Sequence, residues 1–394
     1  MSSRMPKIII LFASYGDGHY RASQAIEACL QAKGISEVIL LDLMAKSHPL
    51  LNEVTKFVYM HSYKSLSSVY GWLYNSTKEL QPGDPLHSLL HSLGIRKLHQ
   101  IIEQFEPDIV IHTFPQLTMP RLLKKTGKSI PLINIITDFD LHGRWIHPDV
   151  DRYYVATDDL KRQIESRGIP AEHIQVTGIP IRSSFSEGMQ HSALQDIFDT
   201  GHAMKDTGYL YSGKRTVLLM AGAYGVMQDI LNICERLLRE ENIQVIVVCG
   251  RNTGLYNGLR AAMGSHPDLY LYGYVTHVAT LMRASDCIVT KPGGLTLAEA
   301  MECRLPMFLY RPVPGQELNN AKYLQEKGIA RITNSHRQLT AEILSLLHDE
   351  NQLSLVRRKI DELRKPKAAE LIVDDILNFW HDITIRQEEY SVIL

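Results

Sequence analysis

The sequence predicts an α/β chain of two Rossmann-like domains, each a mostly parallel sheet with helices on both faces. Three observations carry this. At 394 residues the chain is too long for one ordinary core and suits two domains of about 150 to 200 residues each. Short apolar runs alternate with helical patterns, and the runs are nearly continuous in Ile, Val and Leu, as strands buried on both faces require. The pattern also restarts midway: Ile8-Ile9-Ile10-Leu11-Phe12-Ala13-Ser14-Tyr15-Gly16 is echoed by Val217-Leu218-Leu219-Met220-Ala221-Gly222-Ala223-Tyr224-Gly225.

In the first half, strands are expected at 7–13, 38–41, 109–112, 132–137, 153–156 and 174–177. The run after Lys7 is too short for a signal-peptide core and leads into glycines and a histidine, so it reads as a buried first strand. The polar stretch 190–214 lacks strand character and is the natural linker. Strands resume at 216–220, 245–248, 269–271, 287–289 and 307–309, with helical stretches after most of them. The tail places Leu371, Ile372, Asp375, Ile376 and Phe379 at helical spacing, so that a helix would pack back onto the first domain. The expected organisation is an N-terminal domain over 1–200, a C-terminal domain over 215–367 and a C-terminal helix over 368–394.

Composition narrows the partners. A net charge of −1 gives no polyelectrolyte signal for nucleic acid. The cysteines Cys29, Cys234, Cys249, Cys287 and Cys303 form no CxxC pair and read as reduced, buried thiols of a cytosolic protein. No window approaches the roughly 20 apolar residues of a membrane span, so contact with a membrane would be peripheral.

In doubly wound sheets the ligand lies beyond the carboxyl ends of the strands, and two such domains facing each other would make an interdomain cleft walled by these turns. In "IVTKPGGLTLAEA", 288–300, Gly293 and Gly294 remove side chains where a strand meets a helix. Backbone N–H groups and the helix N-terminus then suit a phosphate. An exposed Glu299 on the following helix is placed to take the two hydroxyls of a ribose; the alternative is a plain turn with a solvated Glu. "YRPVPGQELNNA", 310–321, crowds Gln316, Glu317, Asn319 and Asn320 into a helix start, either for polar recognition or as a capped helix. "VCGRN", 248–252, offers Arg251 to a diphosphate, and "YGYVTHV", 272–278, offers backbone groups around Gly273 to a base edge.

The first-domain turn "ASYGDGHYRAS", 13–23, lacks the spacing of a dinucleotide fingerprint but sets His19 at a helix start. There a neutral imidazole can accept a proton near pH 7, or simply cap the helix. "ITDFDLHGRWIH", 136–147, contains Asp138-Phe139-Asp140, which either holds a divalent metal with His142 and His147 or, in the reading preferred here, supplies Asp138 to the cleft. The segment 50–80 interleaves Phe57, Tyr59, Tyr63, Tyr70, Trp72 and Tyr74 with Lys56, Lys64 and Lys78, as an interfacial segment or an ordinary buried helical pair would.

Together "SYGDGH", "ITDFDLHGRW", "DRYYVATDDLK", "VTGIPIRSSF", "LLMAGAYG", "VCGRN", "GYV", "TKPGGLTLAEA" and "PVPGQELNNA" resemble, in order, the lipid-directed glycosyltransferases of family 28. The similarity is to the monogalactosyldiacylglycerol synthases and, more closely, to the bacterial processive diacylglycerol glucosyltransferases. The resemblance implies the GT-B fold and an inverting transfer of a hexose, most simply glucose, from a UDP-sugar to a diacylglycerol-type acceptor, with no cofactor and no metal. It implies donor contacts from Arg251, Gly273, Tyr274, Val275, Pro292, Gly293, Gly294, Leu295, Thr296, Glu299 and Gln316, and Gly18, Gly222, Glu317 and Asn320 are expected beside them. His19 is the expected base, with Asp138 as second candidate or orienting group. Tyr63, Tyr70, Trp72 and Trp145 are the expected acceptor or membrane contacts, and the expected location is cytoplasmic, peripheral on the inner face of the cell membrane. The alternatives are a UDP-sugar enzyme with another acceptor, by UDP-N-acetylglucosamine transfer or 2-epimerisation, and a non-catalytic UDP-sugar sensor.

Overall fold

A computed structural model describes residues 4–14, 17–62, 67–78, 84, 92–115, 118–186 and 213–393 of the chain. They form two compact units, residues 1–183 with 365–394, and residues 184–364. The expected linker 190–214 and the side chains of Tyr63 and Tyr70 lie outside the described residues, apart from Gly213 and Lys214.

Each unit is built on one parallel six-stranded sheet, as the near-continuous apolar runs predict. In the first, β1 (Ile8–Phe12), β2 (Val38–Asp42), β3 (Ile109–His112), β4 (Leu132–Ile135), β5 (Arg152–Val155) and β6 (Ile174–Val176) are arranged in the order β2-β1-β3-β4-β5-β6. In the second, β7 (Arg215–Met220), β8 (Ile243–Val248), β9 (Leu269–Tyr272), β10 (Cys287–Thr290), β11 (Met307–Tyr310) and β12 (Ala330–Thr333) take the order β12-β11-β10-β7-β8-β9. The two echo segments are thus β1 and β7 with the turns that follow them. Each flanks the point where the strand order reverses, β1 against β3 and β7 against β10. That is where an open parallel sheet leaves a crevice at its carboxyl edge.

Strand β12 was not expected from the sequence. It lies at the sheet edge with Ala330 and Thr333 buried and Arg331 and Ile332 half exposed, so it carries no continuous apolar run. The first core gathers Ile8, Ile10, Ile26, Leu30, Ile109, Ile111, Ile133, Ile135 and Tyr154. The C-terminal helix Ala368–Ile393 adds Ile372, Val373 and Ile376 to it, and Tyr154 donates to Asp375 at 2.7 Å. Val373 rather than Leu371 completes the buried stripe, because Leu371 is 49% exposed. The second core is separate and includes Val217, Leu219, Val245, Val247, Val289 and Phe308. All five cysteines are free; Cys234, Cys249 and Cys287 are buried. Among the described residues no helix is long and apolar enough to cross a membrane.

Candidate functional site

At the β1/β3 reversal, the helix Asp17–Ala32 begins beyond β1, with Gly18 half-buried in its first turn. In the same turn, His19 points its Nδ1 at the Thr113 carbonyl just past β3, 2.7 Å away. A carbonyl only accepts, so Nδ1 carries the hydrogen and Nε2 holds the lone pair. The Thr137 hydroxyl, beyond β4, stands 3.0 Å from the same Nδ1. Ser23 donates to the His19 carbonyl at 2.9 Å and its hydroxyl lies 2.9 Å from that of Thr113, so the helix start and the β3 end are tied together. Burial lowers the His19 pKa, while the Asp138 carboxylate and the Thr113 carbonyl raise it in part. Asp138 is itself buried. The unit thus presents a neutral imidazole whose outer nitrogen can take a proton.

The second carboxylate of the D-x-D faces elsewhere. Asp140 accepts from Lys78 at 2.9 Å through both oxygens and from the Tyr74 hydroxyl at 3.2 Å. His142 accepts from the Arg144 amide at 3.2 Å and sits 3.3 Å from the Thr77 hydroxyl; burial and Arg144 push its pKa down to about 3. His147 accepts from the Asp149 amide at 3.2 Å through Nδ1. Among the described residues no group of three or more His, Cys, Asp or Glu side chains is arranged to hold a metal ion.

Trp145, expected as an acceptor or membrane contact, is 1% exposed and belongs to the interior of its unit. Its carbonyl accepts from buried Asn134, so it is not a surface anchor. Trp72, by contrast, is 70% exposed on the helix Ser67–Lys78. Leu50, Leu51 and Val54 stand exposed on the helix Pro49–Ser62, an apolar edge that the aromatic pattern did not reveal.

At the β7/β10 reversal, the chain leaves β10 through Lys291-Pro292 and enters the helix Gly294–Glu302. Gly293 is its N-cap and no side chain caps it. A Cβ built on Gly293 would meet nothing within 4 Å, so there is room beside the N-terminus of the helix. Asn320 braces the turn by donating to the Pro292 carbonyl at 3.2 Å. Lys291, not among the expected site residues, donates to the Arg311 carbonyl at 2.9 Å, and burial lowers its pKa against the pull of Glu317. Its signal in the sequence was only a lysine at a strand end.

Three expectations change here. Glu299 is 6% exposed rather than solvent-facing. Glu317 is buried and accepts from the Val313 amide at 3.2 Å, and Asn320 is fully buried; their contacts hold the loops. Of that polar cluster, Gln316 and Asn319 remain half exposed, as does Thr296 beside buried Pro292, Gly294 and Leu295.

Next along the sheet, Arg251 lies between two aromatic rings, 5.7 Å from the centroid of Tyr224 and 4.9 Å from that of Tyr274, with all three side chains exposed. Val275 is buried behind Tyr274. Gly250 makes this arrangement possible: at φ 61° a Cβ there would lie 2.4 Å from the Gly222 carbonyl oxygen. The Arg251 amide then donates to the Ala223 carbonyl at 2.8 Å, and Asn252 donates to that of Gly225 at 2.9 Å. Gly222, at φ 81°, and Gly273 have open space or only a distant neighbour at the Cβ position. The turns after β7, β8, β9, β10 and β11 therefore line one sheet edge with backbone groups, a guanidinium between two aromatic rings and the half-buried ammonium of Lys291. Tyr224 went unassigned because its place in the echo read as structural.

The chain matches two family models, one described as monogalactosyldiacylglycerol (MGDG) synthase over residues 19–181 and one as glycosyl transferases group 1 over residues 212–362. It is 37% identical to a processive diacylglycerol β-glucosyltransferase of Bacillus thuringiensis (strain Al Hakam), over 95% of this chain and 94% of that one. Among solved structures it is similar to MurG of Acinetobacter baumannii, with a TM-score of 0.59 at 15% identity over 95% of this chain and 100% of that one. It is also similar to a UDP-GlcNAc 2-epimerase of Neisseria meningitidis bound to UDP-GlcNAc, with a TM-score of 0.58 at 13% identity over 94% and 100%. At such identities these two show the fold alone.

Proposed function

The chain belongs to the family of the processive diacylglycerol β-glucosyltransferases, and from that premise we propose that it transfers a hexose, glucose first, from a UDP-sugar to a diacylglycerol-type acceptor. The reading has it invert the anomeric centre without a metal ion, at the cytoplasmic face of a membrane. The observation that carries it is the uncapped N-terminus of the helix Gly294–Glu302 at the β7/β10 reversal, open above Gly293.

The donor diphosphate sits on those amides, with Arg251 and Lys291 meeting its charge. The acceptor oxygen forms a bond to the anomeric carbon as the bond from that carbon to the diphosphate oxygen breaks. The hydroxyl proton passes to Nε2 of His19. One displacement at one carbon inverts it. Charge grows on the leaving diphosphate, where preorganised amides and cations stabilise the transition state most. These cationic groups also support a metal-free reaction, since they occupy the role a divalent ion would fill. The commitment of Asp140 to Lys78 is consistent with that. The exposed Trp72, Leu50, Leu51 and Val54 support attachment at a lipid surface.

The test is the purified protein with a panel of UDP-sugars and vesicles carrying diacylglycerol, with and without EDTA, and lipid products read by mass. A monohexosyl lipid formed from UDP-glucose in both conditions is expected. Loss of product in EDTA removes the metal-free part of the reading. Release of an epimerised or free sugar with no glycolipid overturns the reading itself.

A further inference from the structure

The loop 136–146 does more than carry Asp138. Four pins hold it, drawn from three elements of the first unit. The Thr137 hydroxyl lies 3.0 Å from His19 Nδ1. Asp140 is gripped by Lys78 and Tyr74 of the helix Ser67–Lys78. His142 meets Thr77 of the same helix, with the Tyr74 ring packed edge-on at 4.8 Å. The Trp145 carbonyl is held by Asn134 of β4 at 2.8 Å. A loop with both ends and its middle fixed has little freedom to withdraw its first residue from the imidazole.

Nδ1–H is shared between the Thr113 carbonyl at 2.7 Å and the Thr137 oxygen at 3.0 Å. One acceptor fixes the tautomer, whereas two from different strands also fix the ring plane. The plane decides where the Nε2 lone pair points. The Asp138 carboxylate also acts on the ring by its charge. Asp17, on the ring's own helix, is paired with Arg21 at 3.8 Å, and Arg144 lies 6.0 Å from the centroid of Phe114, whose ring packs edge-on against His19.

We propose that Thr137 is a positioning residue for His19, held against the imidazole by the Asp140–Lys78 pin of its loop. The second acid of the D-x-D pattern is then a brace for the base. The inference rests on the reading of His19 as base, and the experiment separates the two.

Thr137→Val, Thr137→Ser, Asp140→Asn, Lys78→Met and His19→Ala are compared for kcat, donor KM, UDP binding and the pH profile of kcat. Thr137→Val should lower kcat about tenfold and leave donor KM and UDP binding unchanged. The oxygen accepts more strongly from a cationic ring, so its loss disfavours the imidazolium. Turnover needs the neutral ring, so the acid limb of the profile moves to lower pH. Thr137→Ser should restore both rate and limb. Asp140→Asn and Lys78→Met should each give the same changes in smaller measure, and the double variant should be no worse than either. A Thr137→Val enzyme with wild-type kcat and an unmoved limb overturns the proposal. So does a slow variant whose limb stays in place and which Thr137→Ser fails to rescue, because that pattern marks packing. If His19→Ala itself turns over normally, the base reading fails instead.

Discussion

At the scale of residues, two glycines separate building from binding. Gly250 is required by the fold: its φ of 61° and the Gly222 oxygen, which would lie 2.4 Å from a Cβ there, leave no room for a methyl group. Gly250→Ala should destabilise the second unit by about 1 to 3 kcal/mol or more, read as a lower urea midpoint. Gly293 has an ordinary φ of −72° and an empty Cβ position. Gly293→Ala should therefore leave the midpoint unchanged while weakening UDP binding by calorimetry, at least tenfold or about 1.4 kcal/mol. Unchanged affinity would remove that turn from the donor seat. His19 gives the kinetic counterpart. His19→Ala should reduce kcat by at least about a hundredfold with UDP affinity retained, because only the proton acceptor is lost.

At the scale of elements, the helix Ala368–Ile393 completes the first core from the far end of the chain. Ile376 is fully buried against strands contributed by the first 155 residues, so Ile376→Ala should cost about 2 to 5 kcal/mol. Removing everything after residue 367 should leave the first unit unable to fold, checked by solubility and circular dichroism. Strands β3 and β4 carry a second consequence. His112, opposite Asn134 in the pairing, is fully buried, and burial pushes its pKa from 6.5 down to about 4. Above pH 6.5 neither state holds this proton and nothing is lost. As pH falls from 6.5 toward 4 the unfolded chain takes the proton and the folded one does not, so on the order of 3 kcal/mol of stability goes. His142 adds to the same acid sensitivity. His112→Gln should flatten the fall in urea midpoint between pH 7 and pH 4.5; an unchanged slope would mean that His112 is not buried neutral.

At the scale of the whole molecule, the two-sheet architecture was legible because parallel strands buried on both faces leave continuous Ile/Val/Leu runs, and because β1 and β7 repeat one strand–turn–helix phrase. Strand β12 was not, since an edge strand of Ala-Arg-Ile-Thr has neither run nor period. The turns could be located because they follow strands. Burial could not be: Glu299 and Trp145 read as exposed by residue type, yet tertiary packing encloses both. Lys291 and Tyr224 were passed over because one residue at a strand end carries no pattern, and only the sheet order brings them to the edge that holds Arg251. That order makes a prediction about the entire chain. If the donor is seated on the carboxyl edge of the second sheet, UDP at a hundred times its dissociation constant stabilises the folded state of that unit by about 2.7 kcal/mol. Hydrogen exchange should then slow in the amides of 221–226, 250–252, 273–275 and 290–297, whose strands the ligand would tie together. Amides of the C-terminal helix Ala368–Ile393, which belongs to the first core, should exchange at their ligand-free rates. Protection concentrated instead around 109–113 and 132–137 would move the nucleotide to the first unit and leave His19 without the acceptor space assigned to it.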